Sequence, residues 1–206
     1  MQKDLTKNSV IPTMLRFALP MIAGNLLQQC YNIADTLIVG PDALAAVGSA
    51  FTLMTFLTSI LLGLASGAGT VFSIKFGQKD FLALKEGIIA SFILLSAITL
   101  LMNILVFLGM DWILNLLHVT GNIRVLMKES LEIIFAGIAA VFLYNYFASL
   151  LRALGNSTAP LTFLAVSAIL NIGLDLWFVM GLNRGVKGAA EATIIAQYIS
   201  GIGLTL

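Results

Sequence analysis

Charge is scarce in this sequence. Asp, Glu, Lys and Arg make up 10% of its 206 residues, against about 25% in soluble domains, and mean hydropathy reaches +1.01. A soluble domain of this size must cover itself with polar surface, and too little is available here. The surrounding medium is therefore mostly lipid. The net charge of +1 gives no basic excess that would suit nucleic acid as a partner. Only one cysteine is present, Cys30, so no intrachain disulfide can form; its apolar neighbours mark it as a small buried or lipid-facing side chain. His118, the only histidine, reads as a solvated loop residue. Gly-rich phosphate loops, His/Cys metal clusters and serine-nucleophile motifs are all missing. That argues against an ATPase or a membrane hydrolase, and for a protein that is not an enzyme. No segment shows the two-residue alternation of a membrane barrel.

What the chain has instead is long apolar runs. About 20 uncharged apolar residues cross a bilayer as a helix, and six such spans can be drawn, at 14–40, 44–74, 81–109, 124–151, 160–182 and 188–206. The fold class expected is an all-α membrane protein, with residues 1–206 forming a single transmembrane unit. The polar start could pass for the charged region of a signal peptide, but the apolar run from Met14 is too long for one and lacks a small-residue cleavage site. Pro41-Asp42 and the stretch Phe76 to Asp80 end the first two spans. Asp111 to Asn122 bridges the third and fourth, and the fourth is opened by Glu129 and Glu132, as a helix amino terminus favours. Gly77 and Gly155 each follow an apolar run, where a left-handed helix cap is expected. Glu191, opening the sixth span, is placed to face the interface or pair with Lys187. The final span stops at Leu206 without a polar flank, so truncation is expected.

Basic residues set the orientation. With the amino terminus in the cytoplasm, Lys3, Lys7, Arg16, Lys75, Lys79, Lys85 and Arg152 fall inside, while Arg124, Lys128, Arg184 and Lys187 fall outside, a modest bias in the direction found in membrane proteins. The expected location is the plasma membrane.

Most of the ten acidic residues sit at helix ends or in loops. Asp35 and Asp175 do not. Each lies inside an apolar span, where an ionised carboxylate costs about 2.5–3.5 kcal/mol on insertion scales. Both spans rise from the cytoplasm, which places Asp35 about four-fifths and Asp175 about two-thirds of the way across at helical rise. Thr193, just over one turn into the descending sixth span, reaches the same layer. Tyr31 and Asp35 are four residues apart, as are Asn171 and Asp175, so each pair shares a helix face. Two carboxylates brought together in low dielectric cannot easily both ionise. Together with hydroxyl and amide oxygens they form a set able to hold a proton or coordinate a small cation such as Na+.

The runs Phe17-Ala18-Leu19-Pro20, Tyr31-Asn32-Ile33-Ala34-Asp35-Thr36-Leu37-Ile38-Val39-Gly40 and Ala43-Leu44-Ala45-Ala46-Val47-Gly48 resemble the first helices of the multidrug and toxic compound extrusion (MATE) family. Leu151-Arg152-Ala153-Leu154-Gly155-Asn156-Ser157, Asn171-Ile172-Gly173-Leu174-Asp175 and Gly185-Val186-Lys187-Gly188-Ala189-Ala190 continue the resemblance in order along nearly the whole chain. The resemblance implies twelve membrane helices in two six-helix lobes, of which this chain is the amino-terminal one. It further implies export of organic cations or amphipathic drugs in exchange for H+ or Na+, with no cofactor other than that coupling ion. The family's coupling-ion pattern falls on Tyr31, Asp35, Asn171, Asp175 and Thr193, with Asp35, Asn171, Asp175 and Thr193 as candidate Na+ ligands. Two departures stand out: a carboxy-terminal lobe is missing, and about four residues usual in the family after Gly40 are absent. The expected partners are the bilayer, a small-molecule cargo, and the missing lobe or a second copy of the chain. Two other readings are an inactive fragment or membrane scaffold, and a lipid-linked oligosaccharide flippase of the same superfamily. The flippase would want basic residues in its cavity, and no Lys or Arg lies mid-span here.

Overall fold

The computed structural model describes residues 10–39, 44–116, 118–119 and 121–205, with the side chains of residues 10, 39, 44–51, 122 and 123 excepted. The expected turn at Pro41-Asp42 and the short join after Gly40 lie outside the described residues. Seven α-helices follow in order: α1 Val10–Val39, α2 Leu44–Gly77, α3 Phe81–Leu116, α4 Gly121–Ala136, α5 Ile138–Ala153, α6 Thr158–Asp175 and α7 Gly185–Thr205. An all-helical bundle is what hydrocarbon demands, because every backbone N–H and C=O must find its partner within the chain.

Five of the six expected spans match single helices, with α6 extended to Gly181 by a turn of wider, π-type hydrogen bonding. The fourth does not. Residues 124–151 divide into α4 and α5, bent by 46° at Gly137. Among the described residues, α3, the described part of α2, and α6 with its π turn are each long and apolar enough to cross a membrane alone, and the bent pair adds a fourth when counted as one span. The first and last helices carry the polar side chains: Asn25, Gln28, Gln29, Asn32 and Asp35 on α1, and Glu191, Thr193, Gln197 and Ser200 on α7. At 36 residues, α3 is about 54 Å long, well beyond a hydrocarbon core of about 30 Å. Its charged residues mark where it leaves that core, with Lys85 and Glu86 near one end and Asp111 near the other. Leu100, Leu101, Ile104, Leu105 and Leu108 face outward along it, as lipid contact requires.

The bundle centres on α5, which packs between α2 and α7. Tyr146 is fully buried; its ring meets Phe72, Phe92, Phe142 and Phe147, and its hydroxyl donates to the Ile88 carbonyl at 2.7 Å. Small residues let the backbones close up, as membrane helix packing favours. A Cβ at Gly201 would stand 2.9 Å from the Ala140 carbonyl oxygen. By contrast, α1 lies at the edge of the bundle, packed on α6 and only lightly on α2. It runs through Pro20 as one helix.

Three local expectations need correcting. Gly155 has the expected left-handed conformation (φ +85), but Gly77 does not; α2 continues through it, and Lys79 (φ 58) takes the left-handed turn instead. Asp80 then caps the next helix, accepting from the Ala83 N–H at 3.1 Å. Glu129 and Glu132 do not open a helix, since α4 begins at Gly121 and both lie beyond its first turn. Glu191 pairs with Arg184 rather than Lys187, because the turn before α7 brings Arg184 back over the helix.

Candidate functional site

Three helices deliver the site. On α6, Ser167, Asn171 and Asp175 repeat every four residues and so form one stripe, all three buried. On α7, Thr193 faces that stripe: the Asn171 side-chain amide donates to the Thr193 hydroxyl oxygen at 3.2 Å. On α1, Asp35 lies within electrostatic reach of Asp175. Tyr31, one turn away on the same helix, is buried and has Asp35, Gln28 and Gln197 as its polar neighbours. The structure thus links the residues singled out from the sequence in pairs: Asn171 with Thr193, Asp35 with Asp175, and Tyr31 with Asp35.

The polar atoms there are short of partners. Asp35 Oδ1, Asn171 Oδ1 and both carboxylate oxygens of Asp175 are buried without a hydrogen bond, and Asp175 is 0% exposed. Among the described residues no ion pair involves either acid. Burying a bare carboxylate costs several kcal/mol, and two facing each other cost more. A proton or a bound cation would relieve that cost. The donor chemistry suits both, since carboxylate, amide and hydroxyl oxygens are hard ligands. Because Thr193 accepts from Asn171, its own hydroxyl proton is free to donate to a carboxylate.

Beside the site lies a cleft of about 300 Å³ between α1, α2, α5, α6 and α7. Its α1 wall is an amide face of Asn25, Gln28, Gln29 and Asn32, and Asn32 donates to Gln29 at 3.3 Å. Tyr31 and Gln197 belong to both cleft and site, whereas neither acid lines the cleft. Arg152 is the one charged side chain on its walls among the described residues. Reading the sequence singled out neither Gln28 nor Gln197, although their spacing from Tyr31 and Thr193 was the available signal.

The family described as MatE matches residues 20–177, which takes in four of the five site residues and most of the bundle. The chain belongs to the MatE family. "Probable multidrug resistance protein YpnP" of Bacillus subtilis (strain 168) is 31% identical over 201 residues, covering 96% of this chain and 45% of the relative. "Multidrug export protein MepA" of Staphylococcus aureus (strain NCTC 8325 / PS 47) is 32% identical over 197 residues, covering 93% and 43%. A solved structure described as the outward-facing conformation of a multidrug resistance MATE family transporter of the MOP superfamily superimposes with a TM-score of 0.88 at 26% identity, covering 93% of this chain and 43% of that one. The chain spans less than half the length of these MatE relatives. It is a multi-pass membrane protein with the fold of one MATE lobe.

Proposed function

We propose that the chain serves as the amino-terminal lobe of an ion-coupled antiporter that exports organic cations and amphipathic drugs. The observation that carries this reading is the fully buried, unpartnered carboxyl group of Asp175, with the half-buried Asp35 presenting a buried, unpartnered Oδ1, beside the Asn171–Thr193 hydrogen bond. In this scheme a proton or Na+ enters, neutralises the pair, and draws α1 and α6 together around it; its release on the cytoplasmic side resets the lobe. One positive charge moving inward across 100 mV contributes about 2.3 kcal/mol, which the outward movement of one monovalent cation consumes, so a one-for-one exchange is driven by the coupling ion's concentration gradient. A second lobe, from a longer chain or a second copy, completes the cleft. The lobe sits in the plasma membrane with its amino terminus in the cytoplasm, and its role is transport rather than catalysis.

Reconstitution tests it. Ethidium efflux from proteoliposomes under separate proton and sodium gradients is expected to follow one of the two ions, and to vanish in Asp35→Asn while the protein stays folded. Vesicles inert under both gradients support a fragment or scaffold instead. One observation favours a second reading. Arg152, outside every mid-span position in the sequence, nevertheless lines the cleft, where a guanidinium suits a phosphate. Translocation of a fluorescent lipid-linked phosphate, in place of ethidium, is the outcome that flippase reading expects.

A further inference from the structure

The bend at Gly137 is held in place by side chains from two other helices. A helix broken at membrane depth frees carbonyls that must find new donors. Here Asn103 of α3 donates to the Phe135 carbonyl at 2.5 Å, and Tyr198 of α7 donates through its hydroxyl to the Ala136 carbonyl at 3.3 Å. The space a Cβ at Gly137 would take belongs to Ile194 of α7, whose Cγ1 lies 2.5 Å from that position. No proline lies in α4 or α5 to force the kink; it is built from outside.

The same stretch of α7 serves the ion site. Thr193 and Gln197 are one turn apart on the face that meets Asn171 and Tyr31. Ile194 and Tyr198, each the next residue along, form the adjacent face, rotated by about 100°, and hold the break. A stiff helix cannot shift one pair without shifting the other. The far end of α4 is tied to α3 at the surface, where Asp111 meets Lys128 at 3.0 Å and Arg124 at 3.4 Å in exposed ion pairs that solvent screens, while Met127 and Leu131 pack into the core one to two turns further in.

We propose that the α4–α5 break is a hinge worked by the ion site through α7, with Ile194 and Tyr198 as the transmitting residues and Asn103 as the anchor on α3. This rests on reading Asp35 and Asp175 as the coupling-ion site. Drawing Asn171 and Thr193 toward an arriving ion shifts α7, and packed interfaces turn small shifts into discrete rearrangements. From Gly137 to Val125 the arm of α4 is about 18 Å, so a swing of about 10° moves its end by ~3 Å.

The test uses the full chain in nanodiscs on a Cys30→Ser background. Spin labels go on Val125→Cys and Thr162→Cys, both exposed, and ion binding is measured in parallel. The probes are sodium replacing choline, and separately a drop in pH. The ion that binds is expected to shift the distance by ~3 Å, and Asp175→Asn should remove both binding and shift. Tyr198→Phe and Gly137→Ala should bind the ion with unchanged affinity but lose most of the shift, and Ile194→Ala should restore it to Gly137→Ala. If Gly137→Ala does not fold, Tyr198→Phe decides alone. Wild type that binds the ion at a fixed distance overturns the hinge and leaves the site reading standing, as does Tyr198→Phe shifting like wild type. Wild type that binds neither ion overturns both.

Discussion

At the scale of single residues, the most informative groups are those whose presence is hardest to justify energetically. Asp175 is fully buried, and neither of its carboxylate oxygens has a partner. Replacing an uncompensated buried charge by a neutral group relieves a desolvation penalty. Asp175→Asn is therefore expected to leave thermal stability in detergent unchanged or raise it by about 1 kcal/mol or more, while ion dependence disappears. A marked loss of stability would mean that the carboxylate holds the bundle together. Arg184 and Glu191 behave in the opposite way, as an ion pair whose side chains keep 41% and 23% of their exposure. Arg184→Ala is expected to cost less than about 1 kcal/mol in a denaturation midpoint, since solvent screens the pair.

At the scale of elements, legibility depended on whether the determining partner lay nearby in sequence. The site was readable because polar residues inside apolar runs are costly, and because spacings of four put Tyr31 with Asp35 and Asn171 with Asp175. The bend was not. Gly137 sits in an unbroken apolar run, while the groups that shape the bend, Asn103, Ile194 and Tyr198, come from helices remote in sequence. The same holds for Arg152, whose place on the cleft wall follows from the rotation of α5, and for the π turn after Asp175, which has no composition of its own. Close helix approach was equally hidden. Gly201 looks like any small residue until Ala140 is set against it; Gly201→Val is expected to destabilise the α5–α7 packing by about 1–3 kcal/mol through overpacking, read as a lower melting temperature. An unchanged melting temperature would place the α5–α7 contact elsewhere.

At the scale of the whole molecule, the bundle divides into an apolar half and a polar half. The helices α2, α3, α4 and α5 share an aromatic and aliphatic core with a broad apolar surface toward lipid. The edge helix α1, together with α6 and α7, carries the amides, hydroxyls and acids, and encloses the cleft with α2 and α5. Cysteines placed at the two ends of α3, Leu82→Cys and Trp112→Cys, both at exposed positions, should label from opposite sides of the membrane with an impermeant maleimide. Asp111 and its basic partners then mark the outer end. Labelling of both from one side would remove the six-span topology.

The central claim is that Asp35 and Asp175 together take up the coupling ion, and infrared difference spectroscopy of the purified protein addresses it most directly. When sodium replaces choline, or when protons are added, the carboxyl stretching bands are expected to change. That change should be lost in both Asp35→Asn and Asp175→Asn. A wild-type difference spectrum that survives in either variant would contradict it.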